Sequence, residues 1–290
     1  MEFDADLSAC AAIIERADPL RFRASMAAPV AARRVLFPLY AFNIEVARAP
    51  WVTQETMIAE MRLQWWRDVC DEIANRGVVR RHEVATPLAL AISPVDAVLL
   101  DTLAAARRWD IYRDAFEDAA HFDAYIDQTA GHLMWVAARS LGPAEEATVR
   151  DAAYGAGVAA WLHAIPQLVE QGRVPLLDGT DAGVVALAQK ARARLRQARA
   201  NRGKISKAAR PAMYSVGAAD KVLSAAIAAP GRVSAAELPP MNDETIETPG
   251  AKKSTLGLEL LKLAATSRSF VAPMVIVLDK QAGAGSSFTL

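Results

Sequence analysis

The chain has 290 residues, 53% of them apolar and 23% charged, with Lys+Arg and Asp+Glu balanced at 33 each. It is long enough to bury a large core. The even balance excludes a protein-wide basic field for nucleic acid and a single-sign surface for membrane binding by charge alone. Cys10 and Cys70 match no disulfide framework or metal spacing and suit a reducing compartment. The acidic N-terminus, MEFDADLSACAAIIERADP, lacks the charged-then-apolar layout of a secretory signal.

In chain order, residues 4–17 read as a short amphipathic helix with Leu7, Ala11 and Ile14 on one side and Asp18-Pro19 as its stop. Arg21 to Ala32 reads as a connector, and Pro29 can open the next helix. Arg33 to Arg48 carries Leu36, Leu39, Tyr40, Ile44 and Ala47 at helical spacing until Ala49-Pro50-Trp51 breaks the run. Thr53 or Thr56 can start a helix whose apolar stripe is Met57, Ile58, Met61, Trp65, Val69 and Ile73, with Glu60, Gln64, Arg67 and Asp71 opposite. These two helices are expected to pair as an antiparallel hairpin, the second closed by a left-handed Gly77.

Thr86-Pro87 and Ser93-Pro94 start further helices, ending at Ile92 and Arg108. Asp118 to Ser140 follows with Phe122, Tyr125, Ile126, Leu133 and Val136 on one stripe, then Glu145 to Val169, then a turn at Gln171-Gly172. Within it, Ala152 to Val169 has no charge, but it is short of the roughly 20 apolar residues that a clean membrane span needs, and it reads as a buried helix. Asp181 to Arg199 is a surface helix with the stripe Val184, Leu187, Ala191 and Leu195; Lys204–Met213 and Ala218–Ala229 are weaker helices. Pro230 to Gly250 reads as a mobile loop, Ser254 to Phe270 as the last helix, Val275–Leu278 as the one strand-like run, and 281–290 as a flexible tail. The expectation is one all-α domain over 1–290, without a transmembrane segment and cytoplasmic.

The usual chemical signatures are missing: there is no P-loop, no dinucleotide turn, no HExxH, no GxSxG and no CxxC. His82, His121, His132 and His163 lie far apart, with no pair one helical turn apart to begin a metal site.

Four segments nevertheless stand in a telling order: LYAFNIEVARA, RLQWWRDVCDEI, YIDQTAGHLMWVAARSLG and AWLHAIPQLVEQGRVPLL. Together they resemble the squalene/phytoene synthase family from about Phe22 to Leu177. The resemblance implies an isoprenoid-synthase-like helical bundle around a central pocket. Active members carry two facing aspartate-rich motifs, because Mg²⁺ held by carboxylates must neutralise the diphosphate leaving group. Here the first motif falls on Ala47, Arg48, Ala49, Pro50 and Trp51, its preceding arginine on Ile44, and the second motif's Arg-Asp on His163-Ala164. Glu45 and Glu170 are the nearest carboxylates, and neither has an acidic partner at i+3 or i+4.

AFNIEVAR and LHAIP are similar to a divergent branch that includes the mitochondrial complex I assembly factor of phytoene-synthase type. That likeness implies a pseudoenzyme: a non-catalytic assembly or binding factor with a protein partner such as a respiratory complex subunit, or an isoprenoid or lipid binder. It expects no cofactor and no catalytic or metal-ligating residue, and allows a place peripheral to the inner membrane. The candidates for a residual pocket are Tyr40, Asn43, Glu45, Gln64, Trp65, Tyr125, His163 and Arg173. The competing reading makes Tyr40 core, Glu45 solvent-facing and both Trp65 and Trp66 packing residues. Gly131 is expected to allow close helix approach. The alternative function is a Mg²⁺-dependent prenyl transferase with a metal site rebuilt from acids such as Asp68, Asp71, Asp110 or Asp127. A third reading, a peripheral membrane protein, rests on the apolar run FVAPMVIVL at 270–278.

Overall fold

A computed structural model describes residues 5–241. Among them the regular elements are helices, and the one sheet-like pairing is an isolated bridge between Ala144 and Ile205. The α-helices are α1 (Ala5–Ala17), α2 (Pro19–Ala27), α3 (Val30–Arg48), α4 (Thr56–Ala74), α5 (Ala85–Ala91), α6 (Pro94–Ala106) and α7 (Trp109–Tyr112). They continue with α8 (Ala119–Ile126), α9 (His132–Leu141), α10 (Glu146–Glu170), α11 (Asp181–Ala200), α12 (Ala219–Ala228) and α13 (Gly231–Ser234). The expected all-α bundle is what forms.

Helix α10 is the axis. Its charge-free middle buries Tyr154, Val158, Trp161 and Leu162, and α9, α11 and α12 pack around it. Two glycines let these neighbours approach. A Cβ at Gly155 would stand 2.9 Å from the Cβ of Leu195 on α11, and one at Gly157 would stand 2.9 Å from the Cβ of Ala130. Gly131, expected to serve this purpose, instead sits beside the Asp127 carboxylate of its own turn. That turn, Asp127–Gly131, is π-helical and joins α8 to α9. The Thr129 hydroxyl donates to the Tyr125 carbonyl at 2.6 Å inside the widened turn.

Several local expectations are corrected. The connector at 21–32 contains α2, because Asp18 caps it by accepting from the Arg21 N–H at 3.0 Å and Pro19 fits the first turn. The stop of one helix is thus the start of the next. On α4 the buried stripe is Ala59, Leu63, Trp66, Val69, Cys70 and Ile73; Val69 and Ile73 are as expected, but the stripe is centred about 100° round the helix from the expected one. Met57 and Met61 are 75% and 66% exposed. Helix α4 packs chiefly on α6 and touches α3 only slightly, so the expected hairpin is not a packed pair. At its end Arg76, not Gly77, takes the left-handed conformation (φ 54°), and the Gly77 N–H closes the turn on the Glu72 carbonyl at 2.8 Å. Residues 202–204 and 210–216 are 3₁₀ turns instead of a helix over 204–213.

Of the stretch read as a loop at 230–250, the first part begins with α13 and buries Val233, Leu238 and Met241. The helix, strand-like run and tail read at 254–290, with FVAPMVIVL at 270–278, lie outside the described residues.

Candidate functional site

The two places where the resemblance puts the aspartate motifs lie on α3, running into the turn after it, and on α10. Helix α3 runs into Ala49-Pro50-Trp51. Helix α10 ends in a left-handed Gly172 (φ 75°), with the Arg173 N–H returning to the Leu168 carbonyl at 3.0 Å. This cap turns Arg173 back into the protein. Its guanidinium lies 4.6 Å from the Trp51 ring centre and 5.5 Å from that of Trp109, and it donates to the main-chain carbonyls of Trp109 (3.5 Å) and Asp110. Burial pushes its pKa down, while Asp110 and Tyr125 pull it the other way.

Beneath Arg173 is a buried polar triad. Arg107 donates to Asp110 at 3.2 Å and to the Tyr125 hydroxyl at 3.0 Å, and that hydroxyl donates to the Asp110 carboxylate at 3.0 Å. Burial works to lower the Arg107 pKa, but Tyr125 and Asp110 outweigh it and hold it above its ordinary value. Burial raises that of Tyr125. The triad stands on an aromatic cluster: Trp109 stacks on Phe116 at 4.3 Å, and Trp161 meets both Tyr125 (5.4 Å) and Phe116 (5.7 Å) edge-on. The Trp161 indole N–H reaches the Pro175 carbonyl at 2.9 Å.

The electrostatic sense of the cluster is clear. Arg107 pairs with the Asp110 carboxylate and Arg173 with main-chain carbonyls, and among the described residues the buried Nε atoms of Arg107 and Arg173 and the Trp109 indole nitrogen have no hydrogen-bond partner. Surplus donors and surplus positive charge repel a divalent cation. The groove above it, about 490 Å³, adds Thr53, Gln54, Glu55, Arg113, Gln167 and Gln171.

The residues singled out from sequence do not converge on one site. Tyr40 is buried and lines a void at the bundle centre with Arg21, Leu133, Met134, Gly157 and Met241; the void measures about 30 Å³. Burial pushes the Tyr40 hydroxyl up to about 12 against the pull of Arg21, whose guanidinium lies 5.4 Å from its ring. Asn43 is buried on α3. Glu45 turns outward to Arg48 at 3.2 Å and shares a separate groove with half-buried Trp65, Trp66 and His82. Gln64 is exposed and bonds Asp68 at 2.8 Å. Tyr125 and Arg173 meet in the closed cluster. The His163 ring donates from Nε2 to the Pro239 carbonyl at 2.7 Å, since a carbonyl can only accept, and burial lowers its pKa.

The acids proposed for a rebuilt metal site are dispersed. Asp68 and Asp71 bond Gln64 and Asn75, Asp110 belongs to the triad, and Asp127 takes Arg150 at 2.9 Å. Among the described residues no group of three or more His, Cys, Asp or Glu side chains is placed to hold a metal ion. The residues missed from sequence were Arg107, Trp109, Phe116 and Trp161. A signal existed, in an Arg-Asp pair three residues apart within RRWD at the end of α6.

Comparison with known proteins agrees with this architecture. A family model described as squalene/phytoene synthase matches residues 14–176. A Drosophila melanogaster protein described as "NADH dehydrogenase (ubiquinone) complex I, assembly factor 6 homolog" is 30% identical over 132 residues. That match covers 43% of this chain and 39% of the relative, so well under half of the relative's length is represented. A solved dehydrosqualene synthase in complex with ligand superposes with a TM-score of 0.66 at 14% identity, over 90% of this chain and 95% of that one, which shows a shared fold. Among the described residues no helix is long and apolar enough to cross a membrane.

Proposed function

This chain belongs to the squalene/phytoene synthase family, and from that premise we propose that it is a non-catalytic member acting as an assembly or binding factor. The observation that carries the reading is the seating of Arg173 between Trp51 and Trp109, above the Arg107–Asp110–Tyr125 triad. Metal-assisted ionisation of a prenyl diphosphate needs two opposed sets of carboxylates around Mg²⁺. The places that the resemblance gives them hold Ala47 to Trp51 and His163-Ala164, and of the two acids lining the groove, Glu55 and Asp110, the latter is committed to Arg107 and Tyr125. This donor set does not fit a Mg²⁺ cluster, and no reaction step is assigned to one.

The bundle centre supports the same reading. Ligand pockets usually enclose about 300–1,000 Å³, against about 30 Å³ here. A void of that size holds a water or two, at about 10–15 Å³ each. An isoprenoid chain would have to displace packed side chains. With so little room at this void, we place the work on the outer surface. Likeness to a complex I assembly factor homologue makes a subunit of that respiratory complex the partner we propose, with no cofactor required.

The test has two parts. Incubation with radiolabelled farnesyl or geranylgeranyl diphosphate and Mg²⁺ is expected to give no condensed product; formation of one overturns the non-catalytic reading. In cells lacking the protein, native gels are expected to show less assembled complex I, restored by the intact chain; unchanged complex I overturns the assembly role.

A further inference from the structure

From Ala182 to Ala219 the chain carries nine basic residues, Lys190, Arg192, Arg194, Arg196, Arg199, Arg202, Lys204, Lys207 and Arg210, and no acid. In a chain of zero formal net charge this concentrates positive charge on α11 and the turns after it. Part of the charge is spent internally. Lys190, Arg192, Arg194 and Lys204 pair with Asp123, Asp220, Asp151 and Glu145, which tie α11 and the turn after it to the body. Arg199 also reaches Asp220, at 3.3 Å, but stays half exposed. Arg196, Arg202, Lys207 and Arg210 are exposed and form no ion pair among the described residues.

Between α11 and the following 3₁₀ turns lies a groove of about 530 Å³. Its floor is aliphatic, formed by Leu195, Ala198, Ile205, Met213 and Val216. Its rim carries Arg199, Arg202 and Arg210. Guanidinium forks match phosphate oxygens, and an apolar floor beneath them matches hydrocarbon. Single-stranded nucleic acid would want aromatic platforms for its bases, and no aromatic ring lines this groove.

We propose that this groove binds the phosphate and first acyl methylenes of an anionic phospholipid in a bilayer surface, with Arg196 and Lys207 adding to the attracting field. The site is separate from the closed centre and does not depend on the assembly reading.

The experiment is vesicle flotation of the full chain. It should float with phosphatidylcholine vesicles containing phosphatidylglycerol and stay at the bottom with phosphatidylcholine alone. Arg202→Gln with Arg210→Gln should lower binding by about ten-fold or more, at roughly one exposed basic contact's worth each. Met213→Asp, which keeps the rim and spoils the floor, should also lower it, and circular dichroism should show both variants folded. Equal flotation with neutral vesicles, or no loss in the double arginine variant, overturns the proposal. So does retention of binding by Met213→Asp, because charge alone would then suffice. Complete displacement by free glycerol phosphate overturns it too, since the acyl contact would then contribute nothing.

Discussion

The groove above Arg173 and the groove beside α11 are of similar size, about 490 and 530 Å³, yet they put arginine to opposite uses. At the first, guanidiniums are buried against rings and carbonyls, and Arg107 is paired with Asp110. At the second, Arg202 and Arg210 stand in solvent over an aliphatic floor. A buried charge needs fixed partners and becomes part of the architecture. An exposed charge costs the fold little and stays available to a ligand. One set of arginines is built into the fold of this chain, and unpaired positive charge has collected elsewhere.

The sharpest break of this comparison is Arg107→Met. It removes the direct ion-pair partner of the buried Asp110 carboxylate, since Arg173 is held on main-chain carbonyls, and we expect urea denaturation to show a loss of about 3–5 kcal/mol at an unchanged m-value. Adding Asp110→Asn should recover part of that loss, because an uncharged pair no longer needs balancing. Recovery of nothing would mean that packing, not charge, holds the cluster.

A smaller effect comes from pH. His163 and His132 both have pKa values lowered chiefly by burial. The native state therefore resists protonation while an unfolded histidine takes up a proton near about 6.5. Stability contributed by these groups is complete above about 6.5 and declines as pH falls through that value. Thermal melts between about pH 8 and pH 5 should show Tm falling in this window, above the carboxylate range, with a shallower slope in His163→Gln. An equal slope in the variant would remove His163 from the account.

The smallest effect should be at the open groove, where Arg202→Gln with Arg210→Gln is expected to leave unfolding free energy within about 0.5 kcal/mol of the parent. A larger loss in the same urea titration would show that these arginines also belong to the architecture.

The helical periodicities, the proline and serine starts, and the charge-free run of α10 were readable along the chain, because helix propensity, capping and apolar spacing are local properties. Ser93 capping α6 together with Asp96 illustrates this. The stripe of α4 was misplaced because Met57 and Met61 are apolar yet face water, and only the neighbour α6 determines which side is covered. The left-handed Arg76 escaped notice because an adjacent glycine offered the lower-strain choice.

The candidate site divides in the same way. Tyr125 and Arg173 were singled out as pocket candidates and the structure brings them together in a buried cluster, whose other members Arg107 and Trp109 lie far from Arg173 in sequence. The Arg-Asp spacing in RRWD hints at a local pair, but nothing local signals that this segment would pack against Arg173 at the end of α10. By itself the sequence determined most of the helices and the fold family, since each is written in residue type and spacing. Only the tertiary structure decided that Arg107, Asp110, Tyr125 and Arg173 would meet among stacked rings, and that the spare positive charge would line a groove, because which side chains meet depends on how distant helices pack.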